Sequence, residues 1–250
     1  MSDLVLNDIK DGIRTITLNR PNKLNAVNDD LVVATLDAFR EANADADTRV
    51  IIFRGAGRAF CAGYDLDGHA EGRSAQDVRF EIDRIQAITR EIVLGNKVVI
   101  GAIHGWAVGA GFEWAIDCDL ALWGETARGF FPELEWGLFL TGGATAIAPR
   151  QIGLANFKEL VLLREKQSAA RLHELGLAWR VVPDERLFAE AEAVAARIAE
   201  LPTNALVDFK RISNRACYLD VEGAMALETE ATIRGTLDPD SAALIKQFSR

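Results

Sequence analysis

Two mainly apolar runs constrain the fold of this chain more than any other feature of its sequence. The first is "VIIFRGAG" at residues 50–57, the second is "KVVIGAIHG" at residues 97–105, and each run stops at glycine. A strand that is apolar at successive positions has both faces covered, as when helices pack on each side of a parallel sheet. The sequence therefore predicts two buried strands at the centre of an α/β sheet.

Helical patterns surround these strands. The run "NDDLVVATLDAFREANAD" spaces Leu31, Thr35 and Ala38 as a helix does, and Asn28 before it suits an N-cap. Helical spacing recurs at residues 80–94, 110–118 and 156–164, and from 186 onward. A polar stretch at 67–79 predicts a loop. Further strands are predicted at "GIRTITLNRP" and "DLALWG", so the order favours an α/β core with helices packed outside it.

Composition and charge exclude several classes of protein. The 250 residues suit one large α/β domain or two small ones. Lys and Arg number 28 against 37 Asp and Glu, and this net charge of −9 disfavours nucleic acid and membrane surfaces as partners. The three cysteines, Cys61, Cys118 and Cys217, follow no metal-ligand spacing and suit a reducing compartment. The N-terminus does not resemble a signal peptide and no apolar run has the length of a membrane span, so we expect a cytoplasmic protein.

Two glycine-rich loops follow predicted strands and share one design. "GRAFCAGYDL" at residues 57–66 and "HGWAVGAGFEWA" at residues 104–115 each place small residues where a strand ends. Small residues let a backbone approach another group closely, and N–H groups at a helix start lack partners inside the helix. If the loops faced each other, two N–H groups would converge on one oxygen and form an oxyanion hole. Taken singly, each loop is equally compatible with a tight turn, and neither completes a nucleotide-binding fingerprint.

Four segments in chain order resemble the crotonase, or enoyl-CoA hydratase/isomerase, superfamily. They are "TLNRPNKLNAVN" at 17–28, "GRAFCAGYDL", the long run "GWAVGAGFEWAIDCDLALWGETARGFFPELEWGL" at 105–138, and "ARLHELGLAWRVVPDERL" at 170–187. The resemblance implies a crotonase-like α/β fold, a spiral of repeated β-β-α units shared with the Clp proteases, and a C-terminal helical trimerisation region. It also divides the chain into a core at 1–200, which holds the active site, and a helical region for oligomerisation and lid at 201–250.

The resemblance further implies the substrate and the residues that act on it. An acyl-CoA thioester would place its carbonyl oxygen between the backbone N–H groups of Tyr64 and Ala110. Two glutamates, Glu113 and Glu133, would add water to a 2-enoyl-CoA: Glu113 holds and activates the water, and Glu133 exchanges the proton at Cα, although these roles are open to sharing or reversal. The residues implied in contacting substrate and coenzyme A are Lys23, Ala26, Ala62, Gly63, Asp65, Leu66, Gly109 and Thr141. Coenzyme A is then part of the substrate, and neither a tightly bound cofactor nor a metal is expected.

The sequence departs from the family pattern near the expected acyl group. Leu140 and Thr141 stand where proline and glycine are common, and Tyr64 is larger than the usual residue. These changes are expected to narrow the pocket for the acyl group. An aromatic, alicyclic or short acyl group therefore stays open as the substrate. Glu135 alternates with Glu133 and also has the reach to approach the site, but a structural role is favoured for it. For Arg20 and Lys23, phosphate contact and plain solvation both stay open.

Several other functions compete with hydration. An isomerase would shuttle a proton with Glu133 alone, and hydrolysis or carbon–carbon cleavage of a specialised acyl-CoA is a further option. A serine peptidase of the related Clp fold is disfavoured, because no G-x-S-x-G run occurs and the three histidines stand in no recognisable triad. A non-catalytic acyl-CoA or RNA-binding protein is disfavoured by the two glutamates and by the acidic charge. We expect a homotrimer or a dimer of trimers.

Overall fold

Two sheets lie at the centre of the computed structural model, which describes residues 3–65 and 72–248. Six strands form the larger sheet in the order β1-β2-β3-β4-β6-β9: Val5–Lys10, Ile13–Leu18, Val50–Gly55, Val98–Ile103, Leu120–Gly124 and Arg180–Val182. Three short strands form the second sheet in the order β5-β7-β8: Trp106–Val108, Arg128–Phe130 and Gln167–Ser168. β1 and β2 pair antiparallel, whereas the larger sheet is parallel from β2 to β9.

The helices cover the larger sheet and extend beyond it. Their bounds, α1 to α9, are Asp29–Ala44, Ala75–Val93, Ala110–Asp117, Ala144–Leu163, Ala169–Leu175, Leu187–Ala199, Thr203–Ala216, Val221–Leu237 and Pro239–Phe248. α1, α2 and α3 contribute to the main apolar core, and α6 packs on the opposite face of β3 and β4. The two predicted central strands are therefore buried on both faces, as their sequences require.

The helix positions agree with the sequence at some ends and not at others. The Asn28 side chain caps α1 by accepting from the N–H of Leu31, as predicted. The loop predicted at 67–79 begins with residues 67–71, which lie outside the described residues. Its last part was wrong, because α2 begins at Ala75 behind a capping box of Ser74 and Asp77. The helix predicted at 156–164 is the second half of α4, which begins at Ala144 and changes direction at Gly153. The strand in "GIRTITLNRP" ends at Leu18, before a short 3₁₀ helix at Pro21–Lys23.

The C-terminal helical region is present, as the sequence predicts. The division drawn after residue 200 falls between α6 and α7. α7 is joined to the core by Lys210, whose buried ammonium group donates to the carbonyl oxygens of Ile92 and Lys97 and to the Asp119 carboxylate. Among the described residues, no helix combines the length and the apolar character that crossing a membrane demands.

Candidate active site

The two glycine-rich loops pack directly against each other. The N–H of Cys61 donates to the carbonyl of Trp106, and the N–H of Val108 donates back to Cys61. A β-carbon on Gly63 would lie 2.7 Å from the Val108 carbonyl oxygen, so only glycine permits this approach. Ala110 begins α3 beside this contact, where a backbone N–H has no acceptor within its own helix. The geometry thus brings the segments of both expected N–H donors together.

A third segment, residues 24–27, lies along the first loop. The N–H of Ala62 donates to Leu24, the N–H of Val27 donates to Gly63, and the N–H of Asp65 donates to Val27. The segment is held in place by its own Asn25, whose buried side-chain amide donates to the carbonyl of Ala56, just before the first loop, and to the carbonyls of Ala59 and Phe60 within it. Ala26, Ala62, Gly63 and Asp65, all predicted to contact substrate, therefore share one region.

The charged residues of this region are partly committed to one another. The Arg20 guanidinium lies 2.7 Å from the Asp65 carboxylate and also donates to the Ala26 carbonyl. Arg20 therefore links Asp65 to the segment at residues 24–27. The sequence had left phosphate contact and plain solvation open for this arginine. Lys23 is exposed at the end of its 3₁₀ helix. Leu66 lies outside the described residues.

The Tyr64 side chain takes part in a polar cluster beside the loop. Its hydroxyl accepts from the Arg73 guanidinium at 3.1 Å, and Arg73 pairs with the buried carboxylate of Glu81 on α2. Burial raises the pKa of Tyr64, and the Glu81 charge raises it further. A cavity of about 550 Å³ adjoins this cluster and is lined by Tyr64, Arg73 and Glu81. The Tyr64 side chain is thus held at the wall of this cavity by its hydrogen bond to Arg73.

Glu113 is buried on α3 and is held by three donors. The N–H of Gly142 donates to its Oε1 at 2.9 Å, the N–H of Thr141 donates at 3.1 Å, and the Thr141 hydroxyl donates to Oε2 at 3.3 Å. Only 1% of the residue is exposed. Burial raises the pKa of Glu113, while the donors from Gly142 and Thr141 lower it. Thr141, which the resemblance implies in contacting substrate, thus acts on the Glu113 carboxylate itself.

Glu133 occupies a different environment beside Gly109. It begins a short 3₁₀ helix at Glu133–Trp136, and its buried Oε2 has no hydrogen-bond partner among the described residues. Burial raises the pKa of Glu133 to about 7, and the Glu113 charge contributes in the same direction. Gly109 has a φ of 53°, and a β-carbon there would lie 2.6 Å from Oε1 of Glu133. Because the Gly109 carbonyl also accepts from the N–H of Glu113, this glycine lies between the two acids.

The two carboxyl groups are therefore suited to opposite tasks. Three donors favour the ionised form of Glu113, whereas burial of the Glu133 carboxyl group, with its Oε2 unpartnered among the described residues, favours the neutral acid. A base and an acid at one site are what addition or removal of water requires. Glu135, the third carboxylate of the run, is exposed, and Trp136 has 58% of its surface exposed.

Two polar residues of the site escaped the sequence analysis. Asp117 lies one helical turn beyond Glu113, is 5% exposed, and accepts from the Thr89 hydroxyl of α2 at 2.7 Å. A second acidic residue, four positions after Glu113 in the mainly apolar run "GFEWAID", is the only signal that the sequence offers for it. Its partner is 28 residues away in the chain, so only the folded structure reveals the pair.

Comparison with known proteins points to one family. Residues 8–237 match the enoyl-CoA hydratase/isomerase family profile. The chain is 33% identical to 1,2-epoxyphenylacetyl-CoA isomerase of Escherichia coli over 92% of this chain and 89% of that enzyme. It is 32% identical to a probable peroxisomal enoyl-CoA hydratase of Arabidopsis thaliana over 88% and 81% of the two chains. The crystal structure of enoyl-CoA hydratase from Bacillus anthracis superposes with a TM-score of 0.94 at 29% identity, covering 98% of this chain and 96% of that one.

Proposed function

Because the chain belongs to the enoyl-CoA hydratase/isomerase family, we propose that it adds water reversibly to a 2-enoyl-CoA and yields the 3-hydroxyacyl-CoA. The observation that carries this proposal is the unequal environment of the two glutamates, buried Glu113 and partly buried Glu133. Glu113 has three hydrogen-bond donors, and Glu133 has a pKa of about 7 with one oxygen unpartnered among the described residues. A site with one base and one acid suits hydration, which moves two protons.

In the hydration direction, ionised Glu113 takes a proton from a water molecule whose oxygen bonds to Cβ of the substrate. The electron pair of the double bond moves toward the thioester carbonyl and forms an enolate. Neutral Glu133 then gives its proton to Cα, the enolate collapses to the thioester, and solvent resets both carboxyl groups. With a pKa of about 7, Glu133 holds its proton in about half of the molecules at neutral pH.

We propose the N–H groups of Tyr64 and Ala110 as the donors to the enolate oxygen. The direct packing of the two glycine-rich loops supports this assignment, because it brings both backbone segments to one place. Such donors act where charge develops, and losing one typically costs about 3 kcal/mol in the barrier. Residues 24–27 with Ala62, Gly63 and Asp65 are the proposed surface for the pantetheine arm, with Lys23 at its exposed end. Coenzyme A arrives as part of the substrate, and no resident cofactor is proposed.

The test is turnover of a series of 2-enoyl-CoA thioesters, from crotonyl to aromatic and cyclic acyl groups, followed by loss of the conjugated-enoyl absorbance. Glu113→Gln and Glu133→Gln should each lower kcat by about 10²- to 10⁴-fold, the usual contribution of a general acid or base. Glu135→Gln is the matched control, because that glutamate is exposed and should leave turnover unchanged. If the wild-type protein hydrates no member of the series, the hydratase proposal is wrong.

A second candidate is an enoyl-CoA isomerase. The similarity to 1,2-epoxyphenylacetyl-CoA isomerase supports isomerase chemistry on an acyl-CoA, although the substrate named for that enzyme is an epoxide and not an enoyl thioester. An isomerase would move one proton between two carbons with Glu133 alone, so Glu113→Gln would retain isomerisation of a 3-enoyl-CoA while hydration is lost. Mass spectrometry separates the outcomes, because hydration adds a water mass to the product and isomerisation does not.

For assembly, we propose a homotrimer or a dimer of trimers built through the C-terminal helices. Large apolar side chains of α8 support this, since Val221, Met225, Ile233 and Leu237 are each more than half exposed in the single chain. Sedimentation of the intact protein tests the state, and a monomer at micromolar concentration would contradict it. We further propose a reducing, cytoplasmic location, which suits the buried free thiols of Cys61 and Cys118.

A further inference from the structure

Asp117 is a buried carboxyl group for which the proposed reaction has no task. It ends α3, four residues after Glu113, in a helix whose residues from Gly111 to Asp117 are all buried. Its Oδ2 accepts from the Thr89 hydroxyl at 2.7 Å. Its Oδ1 is buried and finds no partner in the part of the chain that the structure describes. A buried ionised carboxylate with one oxygen unpaired is costly, whereas a neutral carboxylic acid carries a far smaller penalty.

The Thr89–Asp117 pair lies directly behind Glu113. Residues four apart on a helix have neighbouring side chains, so Glu113 and Asp117 share one face of α3. A β-carbon on Gly142 would lie 3.0 Å from the Thr89 hydroxyl oxygen and 3.2 Å from the carboxyl carbon of Glu113. The same Gly142 donates its N–H to Glu113 at 2.9 Å. Gly142 therefore lies next to both the Glu113 carboxylate and the Thr89 hydroxyl that is bonded to Asp117.

Within residues 3–65 and 72–248, the charged groups around Asp117 do not offer it an ion pair. Lys210 on α7 is the nearby cation, but its ammonium group donates to two carbonyl oxygens and to Asp119. The neighbouring thiol of Cys118 is neutral, because burial raises its pKa well above the usual range. The remaining group is Glu113, whose negative charge disfavours a second negative charge one turn away in an apolar interior.

The number of donors decides which of the two acids is ionised. Glu113 receives three hydrogen bonds and Asp117 receives one. Donors stabilise the charged form, so the charge belongs on Glu113 and the proton on Asp117. In agreement with this geometry, burial raises the pKa of Asp117 well above its usual value and the Glu113 charge raises it further, although the Thr89 hydroxyl acts in the opposite direction.

We propose that Asp117 is a positioning residue kept as a neutral carboxylic acid, which leaves Glu113 as the one negative charge on this face of α3. The role assigned to Glu113 rests on the proposed hydration, but the proton on Asp117 does not. If Asp117 were ionised instead, it would favour protonation of Glu113 and so remove the base. Neutral Asp117 bonded to Thr89 links α2 to α3 without this cost.

Infrared spectroscopy of the intact wild-type protein at neutral pH tests the proposal directly, because a neutral carboxyl group and a carboxylate absorb at separate frequencies. The proposal expects a neutral-carboxyl band that shifts when the protein is made with ¹³C-labelled aspartate and disappears in Asp117→Asn. The band of Glu133 is identified separately by its loss in Glu133→Gln. The isotope shift needs no variant, so the test holds even if Asp117→Asn folds poorly. Absence of any aspartate-dependent band refutes the proposal.

Kinetics supply the second readout. Asp117→Asn replaces a neutral acid with a neutral amide of the same shape, so the acidic limb of kcat/KM against pH should stay in place. If Asp117 were charged, removal of its charge would lower that limb by about one pH unit or more, which overturns the proposal. In Glu113→Gln the aspartate band should titrate at lower pH than in the wild type, because the repelling charge is gone. Loss of hydration with the band intact would count against the proposed function alone, and an absent band with hydration intact would count against this inference alone.

Discussion

Replacing Gly109 with alanine is the sharpest test of how the backbone sets the position of Glu133. The glycine has φ of 53° and ψ of −122°, a conformation that a side chain makes costly by about 1–3 kcal/mol. The added β-carbon would meet Oε1 of Glu133 at 2.6 Å, so the carboxyl group must retreat by roughly 0.8 Å to reach the ordinary contact distance of 3.4 Å. A misplacement near 1 Å in a catalytic group costs about 10²-fold in rate. We expect Gly109→Ala to lower kcat of hydration by about that factor.

Gly176→Ala is the matched control for backbone strain. Gly176 has φ of 95° at the end of α5, and the nearest atom to an added β-carbon is 3.7 Å away. Both variants should lose similar stability in urea denaturation, but only Gly109→Ala should lose activity. Glu133→Asp supplies the second comparison: its carboxyl group is one methylene shorter, so Gly109→Ala should cost less in that background. Equal turnover of the two glycine variants would refute the reasoning.

Three further results follow from the structure. Hydration should decline as the pH rises through about 7, because Glu133 then loses the proton that it gives to Cα; a flat profile of kcat/KM would contradict this. Lys210→Met should lower the free energy of unfolding by about 3 kcal/mol, because it removes the buried cation from Asp119 and from the carbonyl oxygens of Ile92 and Lys97, and an unchanged urea midpoint would contradict it. Bonds from Thr48 and Arg14 hold the pKa of Asp45 below its usual value, so the stability that this carboxylate adds is present at neutral pH and lost on acidification. The stability gap between wild type and Asp45→Asn should therefore narrow below pH about 4, and a constant gap in denaturation experiments would count against it.

The parts of the fold that the sequence predicts are those whose burial is uniform along the chain. β3 and β4 are apolar at nearly every position because both faces are covered. β1 was missed, because this strand at the sheet edge is largely exposed and half of its residues are polar. The start of α2 was missed because its capping box is polar, and hydrophobic periodicity alone reads such residues as loop. In α4, Pro149 and Gly153 interrupt the apolar spacing, so only the second half was recognised.

The same distinction applies to the candidate site: residues that stand in short runs are predictable from the sequence, and contacts between distant residues are not. The glycines and the two glutamates stand in short runs, so their pattern is visible in the sequence. The groups that set the protonation of Glu113 come from elsewhere: Thr141 and Gly142 lie 28 and 29 residues further along the chain. Thr89 meets Asp117 only through the packing of α2 on α3. Sequence patterns therefore predict which carboxyl groups enter the site, but the folded structure determines how many donors each receives.

The number of donors to Glu113 explains why threonine suits position 141, where the resemblance leads one to expect glycine. At 1% exposure, Glu113 receives almost no help from bulk water, so protein groups must stabilise its charge. The backbone at position 141 supplies one donor whatever the side chain, and the threonine hydroxyl adds another at 3.3 Å. Asp117 behind Glu113 makes this extra donor more valuable, because two buried acids one turn apart compete for a single proton. Thr141→Ala should therefore weaken the preference for an ionised Glu113 and move the acidic limb of the hydration profile to higher pH, while Thr141→Ser should keep it; an unmoved limb in Thr141→Ala would show that the backbone donors suffice.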